Sequence, residues 1–207
     1  MEVLLLNFTR DAEEVIEFAG RVCHRSAPGN TAKFIAGLIK MGHESVLEHA
    51  SATFEITGIS RACSHQLVRH RLASFSQESQ RYVDMSSQVD YVLPPSVSCN
   101  RVAYARMVQA LAVCQETYKE LRDLGIPKED ARFILPNATP TRLVMTANFR
   151  QWRHIISLRC AKQSQWEIQA VCLLILCALC DIAPSVFQDL ADMFDMRGCM
   201  RGQTDYG

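Results

Sequence analysis

Lysine is scarce in this 207-residue chain: it stands only at positions 33, 40, 119, 128 and 162, so seventeen of the 22 basic residues are arginine. Acidic residues also number 22, and a net charge of zero gives no global positive field to favour nucleic acid or an anionic membrane. The apolar run from Ala170 to Ala183 holds about fourteen residues, too few to span a bilayer. Met1-Glu2 leads into four apolar residues before Asn7, which is no secretory leader, and a soluble, cytoplasmic protein is expected. Three loops that carry common chemistries are missing as well. Without GxxxxGK[ST], without GxGxxG after a strand and without GxSxG, a P-loop enzyme, a dinucleotide fold and an α/β-hydrolase are all disfavoured.

Metal chemistry lacks its usual spacing too. In Gly42 to His49 the pairs His43-Glu44 and Glu48-His49 are each adjacent, so no HExxH face forms and no metal is expected. The nine cysteines are an odd count and read as reduced thiols. Cys177-Ala178-Leu179-Cys180 has CxxC spacing but lies inside the apolar run with no second pair nearby, where cysteine serves as a small hydrophobe.

What the chain has in quantity is arginine, whose planar fork grips a phosphate or a pyrimidine edge in two places at once. The densest polar stretch runs from Arg69 to Tyr82. Three arginines, a histidine, hydroxyls and amides crowd into it, and only Leu72, Ala73 and Phe75 suit a core. It reads as a site for an anion. Arg69, Arg71, Arg81, Arg132, Arg150, Arg153 and Arg159 all lie in or beside connecting segments, and several of them converging would bind a nucleotide phosphate.

The expected architecture is a single domain over residues 1–207, of mixed α/β content. Met1 to Phe8 reads as a strand, and Thr9 as the cap of a helix presenting Ala12, Val15, Ile16 and Ala19. A second helix runs from Thr31 to Met41 and stops at Gly42. Ala50 to Thr57 alternates as a half-buried strand closed by Gly58, and Ser60 caps a helix leading to the arginine segment. Val83 to Leu93 looks extended up to Pro94-Pro95. Val102 to Leu124 forms a long helix ended by Gly125, and Pro127 opens a short one. Thr141 to Phe149 is a second core strand, Asn148-Phe149-Arg150 leads into a helix ending near Arg159, and Ser164 to Ala183 is the last long helix. The tail from Met193 shows no period. Pattern alone therefore reaches an arginine-rich, phosphate-binding enzyme of mixed α/β type.

Arg69-His70-Arg71, seven residues, and then Ser79 match the RHR(x)7S signature of the flavin-dependent thymidylate synthases. Gly42-His43-Glu44 with Glu48-His49, Ala131 to Pro136, Asn148-Phe149-Arg150, and Leu158-Arg159 with Gln165-Trp166-Glu167-Ile168 follow in that family's order. The chain thus resembles the family from about Thr31 to Ile168. The resemblance implies the thymidylate synthase-complementing fold, an α/β protein of the α+β type with a mixed or antiparallel sheet and long packing helices. It implies reductive methylation of dUMP to dTMP, with methylenetetrahydrofolate as carbon donor, FAD as hydride carrier and NADPH as reductant. It also implies a homotetramer with sites between subunits.

Carried over residue by residue, the dUMP contacts resemble Gln66, Leu67, Val68, Arg69, Gln77, Glu78, Ser79, Gln80, Arg81, Arg132 and Arg159. The FAD contacts resemble Ser51, Arg69, His70, Arg71, Gln77, Asn148, Phe149, Arg150 and His154. Arg159 falls where the family places the arginine that polarises uracil, and it is the expected catalytic residue. Some relatives carry Asn-Glu where this chain has Ser76-Gln77-Glu78, so the glutamate's role passes to Gln77 as a neutral donor. Ser79 is expected to bind phosphate rather than act as a nucleophile, since no base is placed to activate it. Two rival readings of the arginines remain: a nucleic-acid-binding module using Arg69, Arg71, Arg81 and Tyr82, and an oligomer whose arginines make subunit ion pairs.

Overall fold

The structure, a computed structural model, describes residues 1–23, 25–87 and 89–196. Its elements are β1 (Glu2–Phe8), α1 (Ala12–Val22), α2 (Thr31–Lys40), a 3₁₀ helix (Glu44–His49), β2 (Ser51–Ser60), α3 (Arg61–Leu67) and β3 (Ala73–Gln77). They continue with α4 (Pro95–Ser98), α5 (Arg101–Asp123), α6 (Lys128–Ala131), a 3₁₀ turn (Arg132–Ile134), β4 (Pro140–Asn148), α7 (Phe149–Arg159), α8 (Trp166–Ile182) and α9 (Pro184–Met193). One open antiparallel sheet has the order β1-β2-β4-β3, which matches the expected fold class.

Alternation builds the central strands. Ala52, Phe54 and Ile56 of β2 and Thr141, Leu143, Met145 and Ala147 of β4 are buried, while Thr53 and Thr146 on the other face share a hydroxyl hydrogen bond at 2.9 Å. The chain divides into two compact units; three of the divisions fall inside β2, β3 and β4, and another falls between Arg69 and His70, in the connection from α3 to β3.

The larger unit takes residues 2–56, 70–75 and 144 onward. Its helical core is α7, α8 and α9, where Val171, Cys172, Ile175, Leu176 and Leu179 recur at helical spacing and are buried. Glu13 of α1 caps α9, its carboxylate accepting from the N–H and the hydroxyl of Ser185, both at 2.7 Å. Glu17, also buried, accepts from Arg21, Thr31 and the Gly29 N–H, which clamps the 26–31 turn onto α1. The smaller unit, with residues 57–69 and 76–143, packs Met85, Tyr118 and Ala131 together with Val89, Leu121 and Leu135 along α5.

Several expectations need correction. Thr9 does not cap α1: its hydroxyl accepts from the Ser51 N–H and prolongs the pairing of β1 with β2, while Asp11 takes the cap position in left-handed geometry. Gly58 does not close β2. It sits within the strand at φ +66°, and β2 runs on to Ser60, which does cap α3 by accepting from the Cys63 N–H. Residues 83–87 and 89–93 form no strand, because side chains satisfy their backbone. Gln115 donates to the Met85 and Ser87 carbonyls, and the Tyr118 hydroxyl accepts from the Met85 N–H. Residues 73–77, read as part of a polar segment, are the edge strand β3. The last long helix forms as α8 within the expected 164–183 range, but a further helix follows it: Ala183 leaves helical geometry and Pro184 starts α9. Among the described residues seven cysteines stand outside any disulfide, but Cys177 is disulfide-bonded, so the set is not wholly reduced.

No helix among the described residues is long and apolar enough to cross a membrane, and no group of acidic, histidine or cysteine side chains there could hold a metal. Of the tail, residues 197–207 lie outside the described residues.

Candidate active site

The expected site residues fall into two sets, one in each unit, and the chain passes from one unit to the other between Arg69 and His70. In the larger unit β4 delivers Asn148, whose Oδ1 caps α7 by accepting from the Gln151 N–H at 2.8 Å. That cap fixes the start of a helix whose last residue is Arg159. The Nε–H of Arg159 donates to Nε2 of His70 at 3.0 Å. A guanidinium has no lone pair to offer, so it must be the donor, and the accepting Nε2 of His70 is unprotonated. The ring is only 6% exposed. Burial first, then the charges of Arg159 and His154, push its pKa down to about 4, so it is neutral at physiological pH. His154, five residues before Arg159 and exposed, sets its ring edge-on to His70 with centroids 6.1 Å apart.

In the same unit Arg71 and Arg150 are exposed and Ser51 is half-buried. Arg150 pairs with Glu48, with both side chains about half in water, a contact that an incoming anion can outcompete. Phe149 stands apart from these residues: it is fully buried, lies edge-on to Phe187 at 5.2 Å, and gives its N–H to the Ala50 carbonyl. Its ring belongs to the core. The polar and cationic groups of Ser51, Arg71, Arg150 and His154 fit a phosphate-bearing aromatic cofactor such as FAD.

Arg153 also belongs to the core. Its place beside a connecting segment suggests an anion-binding arginine, yet it is 6% exposed, bidentate to Asp189 at 2.7 Å, hydrogen-bonded to the Val186 carbonyl, and 3.6 Å from Glu44. Burial alone would lower its pKa, but the hydrogen bonds and charge of Asp189, followed by those of Glu44, raise it on balance. This clamp ties α7 to α9 and to the 3₁₀ helix. Arg153→Met is expected to lower unfolding free energy by about 2–3 kcal/mol, held to that size because Asp189 is half exposed and can rehydrate. Urea unfolding of both proteins measures it.

In the smaller unit Gln77 turns inward. Its amide donates to the hydroxyls of Ser64 at 2.8 Å and Thr141 at 3.2 Å, which pins the end of β3 to α3 and β4. Glu78 follows with its N–H on the Arg142 carbonyl. Ser79 makes a tight turn: its hydroxyl accepts from the Arg81 N–H, and its carbonyl accepts from the N–H groups of Tyr82 and Val83. The N–H groups of Arg81, Tyr82 and Val83 are thus engaged within the turn, which leaves fewer backbone donors there for a phosphate. Gln80 and Glu78 are half-buried, and Arg81 reaches Glu129 at 3.2 Å with both side chains half exposed. Leu67 is fully buried, Gln66 and Val68 are half-buried, and Arg69 is exposed at the end of α3. Arg132 donates through Nε to the Glu129 carbonyl.

One residue of this set was missed. Arg61, the first residue of α3, donates to the Glu78 carbonyl at 3.3 Å, and burial first and then the charge of Arg132 lower its pKa. The signal was the position of Arg61 directly after the Ser60 cap, at a helix start where a basic residue opposes the dipole.

The model of the thymidylate synthase complementing protein family matches residues 4–185. A flavin-dependent thymidylate synthase of Geobacter sulfurreducens is 40% identical, over 100% of this chain and 92% of that protein. One from Pyrococcus furiosus is 38% identical over 83% of this chain and 75% of its own length, and one from Mycobacteroides abscessus is 38% identical over 89% and 83%. These matches leave the nucleic-acid reading without support. With a family match over most of its length and relatives well above 30% identity, the chain belongs to the thymidylate synthase complementing protein family, that of the flavin-dependent thymidylate synthases.

Proposed function

We propose that this protein methylates dUMP to dTMP reductively, taking carbon from methylenetetrahydrofolate and reducing equivalents from NADPH through FAD. The observation that carries this reading is the contact between Arg159 and neutral His70, which directs a permanently charged fork from the end of a capped helix. A guanidinium at the N3/O4 edge of uracil stabilises the negative charge that builds there and makes the ring carbon a better nucleophile. Bound FAD supplies the hydride chemistry that no side chain performs. Arg69, His70, Arg71, Ser51, Asn148, Arg150 and His154 are assigned to holding it, and Ser79, Gln80, Arg81 and Arg132 to the nucleotide.

The protein is read as a single cytoplasmic domain that assembles as a homotetramer with sites between subunits. Domain divisions that cut through strands favour one folding unit over two. Exposed Val15, Phe18 and Val22 on α1, and Leu4, Leu6 and Phe8 on β1, are apolar stripes of the kind that subunits cover.

An absorption spectrum tests the reading. Purified protein supplied with FAD is expected to retain a flavin chromophore that NADPH bleaches anaerobically. Protein that retains no flavin under those conditions would remove it.

A further inference from the structure

We propose that His70 is a positioning residue for Arg159, acting as the hydrogen-bond acceptor that sets the plane of the guanidinium, beyond the flavin contact that family resemblance assigns to it. This rests on the reading of Arg159 as the group that meets uracil. Arginine has a long side chain with several free rotations, so a charge at the end of α7 is not by itself an aimed fork. Anchoring Nε removes that freedom: once Nε–H points at Nε2 of His70, the direction of both terminal nitrogens is fixed. The anchor is itself held, because His70 is buried and lies between α3 and β3. Its tautomer is dictated as well, with the proton on Nδ1, since a protonated Nε2 could not accept and an imidazolium would repel the guanidinium. A second basic ring, His154, faces it from α7 and further opposes protonation.

The test compares two amides in the FAD-loaded protein. Glutamine puts its Oε1 where Nε2 lies, and asparagine is too short to reach. His70→Gln is expected to retain at least about a tenth of wild-type turnover, whereas His70→Asn, which loses the Nε contact of Arg159, falls by about 100-fold in kcat and weakens dUMP binding in direct titration while still binding FAD. ¹⁵N spectra of histidine-labelled protein are expected to show His70 neutral with Nε2 unprotonated. Equal losses in the two variants, loss of FAD as the common cause, or an Nε2–H tautomer would each overturn the proposal. A wild-type protein that makes no thymidylate would instead remove the functional reading beneath it, and the tautomer still reports separately on the contact.

Discussion

Arg159→Lys is expected to cut thymidylate formation by at least about 100-fold with flavin still bound. Charge is preserved in this substitution, so a purely electrostatic role would survive it. Two features are lost. Lysine cannot present a pair of parallel donors to the O4/N3 edge of uracil, and its single ammonium cannot both donate to His70 and meet the ring from a fixed direction. The loss should appear in kcat more than in the KM for dUMP, because the contact strengthens as charge develops on the ring. NADPH-dependent bleaching of the flavin, which precedes methyl transfer, should change much less. Wild-type turnover in Arg159→Lys would take this arginine out of the chemistry.

Trp152→Ala is expected to cost about 3–5 kcal/mol of stability, measured by denaturant unfolding. That is a large share of the roughly 5–15 kcal/mol that holds a domain folded. The indole is fully buried in α7, donates its N–H to the Ala52 carbonyl of β2 at 3.1 Å, and sets its ring against Phe54 at 5.2 Å in an edge-to-face pair. Alanine leaves a cavity and removes the bond that ties the helix to the strand. Trp152→Phe keeps the aromatic contact and loses the donor, and about 1–2 kcal/mol is expected for it. Since α7 carries Asn148 at its cap and Arg159 at its end, the helix that tryptophan seats is also the one that aims the site. A change below about 1 kcal/mol for alanine would mean that the seat lies elsewhere.

Periodicity made the frame legible. The alternation in β2 and β4 and the single face of α5 follow from which side meets the core, and that is written in the residues themselves. Sequence motifs were less informative about individual side chains. Phe149 stands between two polar site residues in Asn148-Phe149-Arg150, but its ring is packed on Phe187, and nothing local to the motif distinguishes a core ring from a cofactor contact. Arg153 and Arg159 lie six residues apart on one helix. The position of Asp189 on α9 makes the first a buried clamp, and α9 lies beyond the last helix that the sequence pattern marks. Gln77 was readable as a donor but not as one already engaged, because its partners Ser64 and Thr141 come from other elements. In each case the deciding contact is between residues distant in sequence, to which spacing is blind.

The most direct test of the flavin-carried methylation is the identity of the folate product. A methylene group becomes a methyl by gaining a hydride. If the folate supplied that hydride it would leave as dihydrofolate, whereas a hydride from reduced flavin lets it leave as tetrahydrofolate. With FAD-loaded protein, NADPH, dUMP and methylenetetrahydrofolate, tetrahydrofolate is expected to accumulate in step with thymidylate. Dihydrofolate in its place, or no thymidylate at all from flavin-loaded protein, would contradict the account.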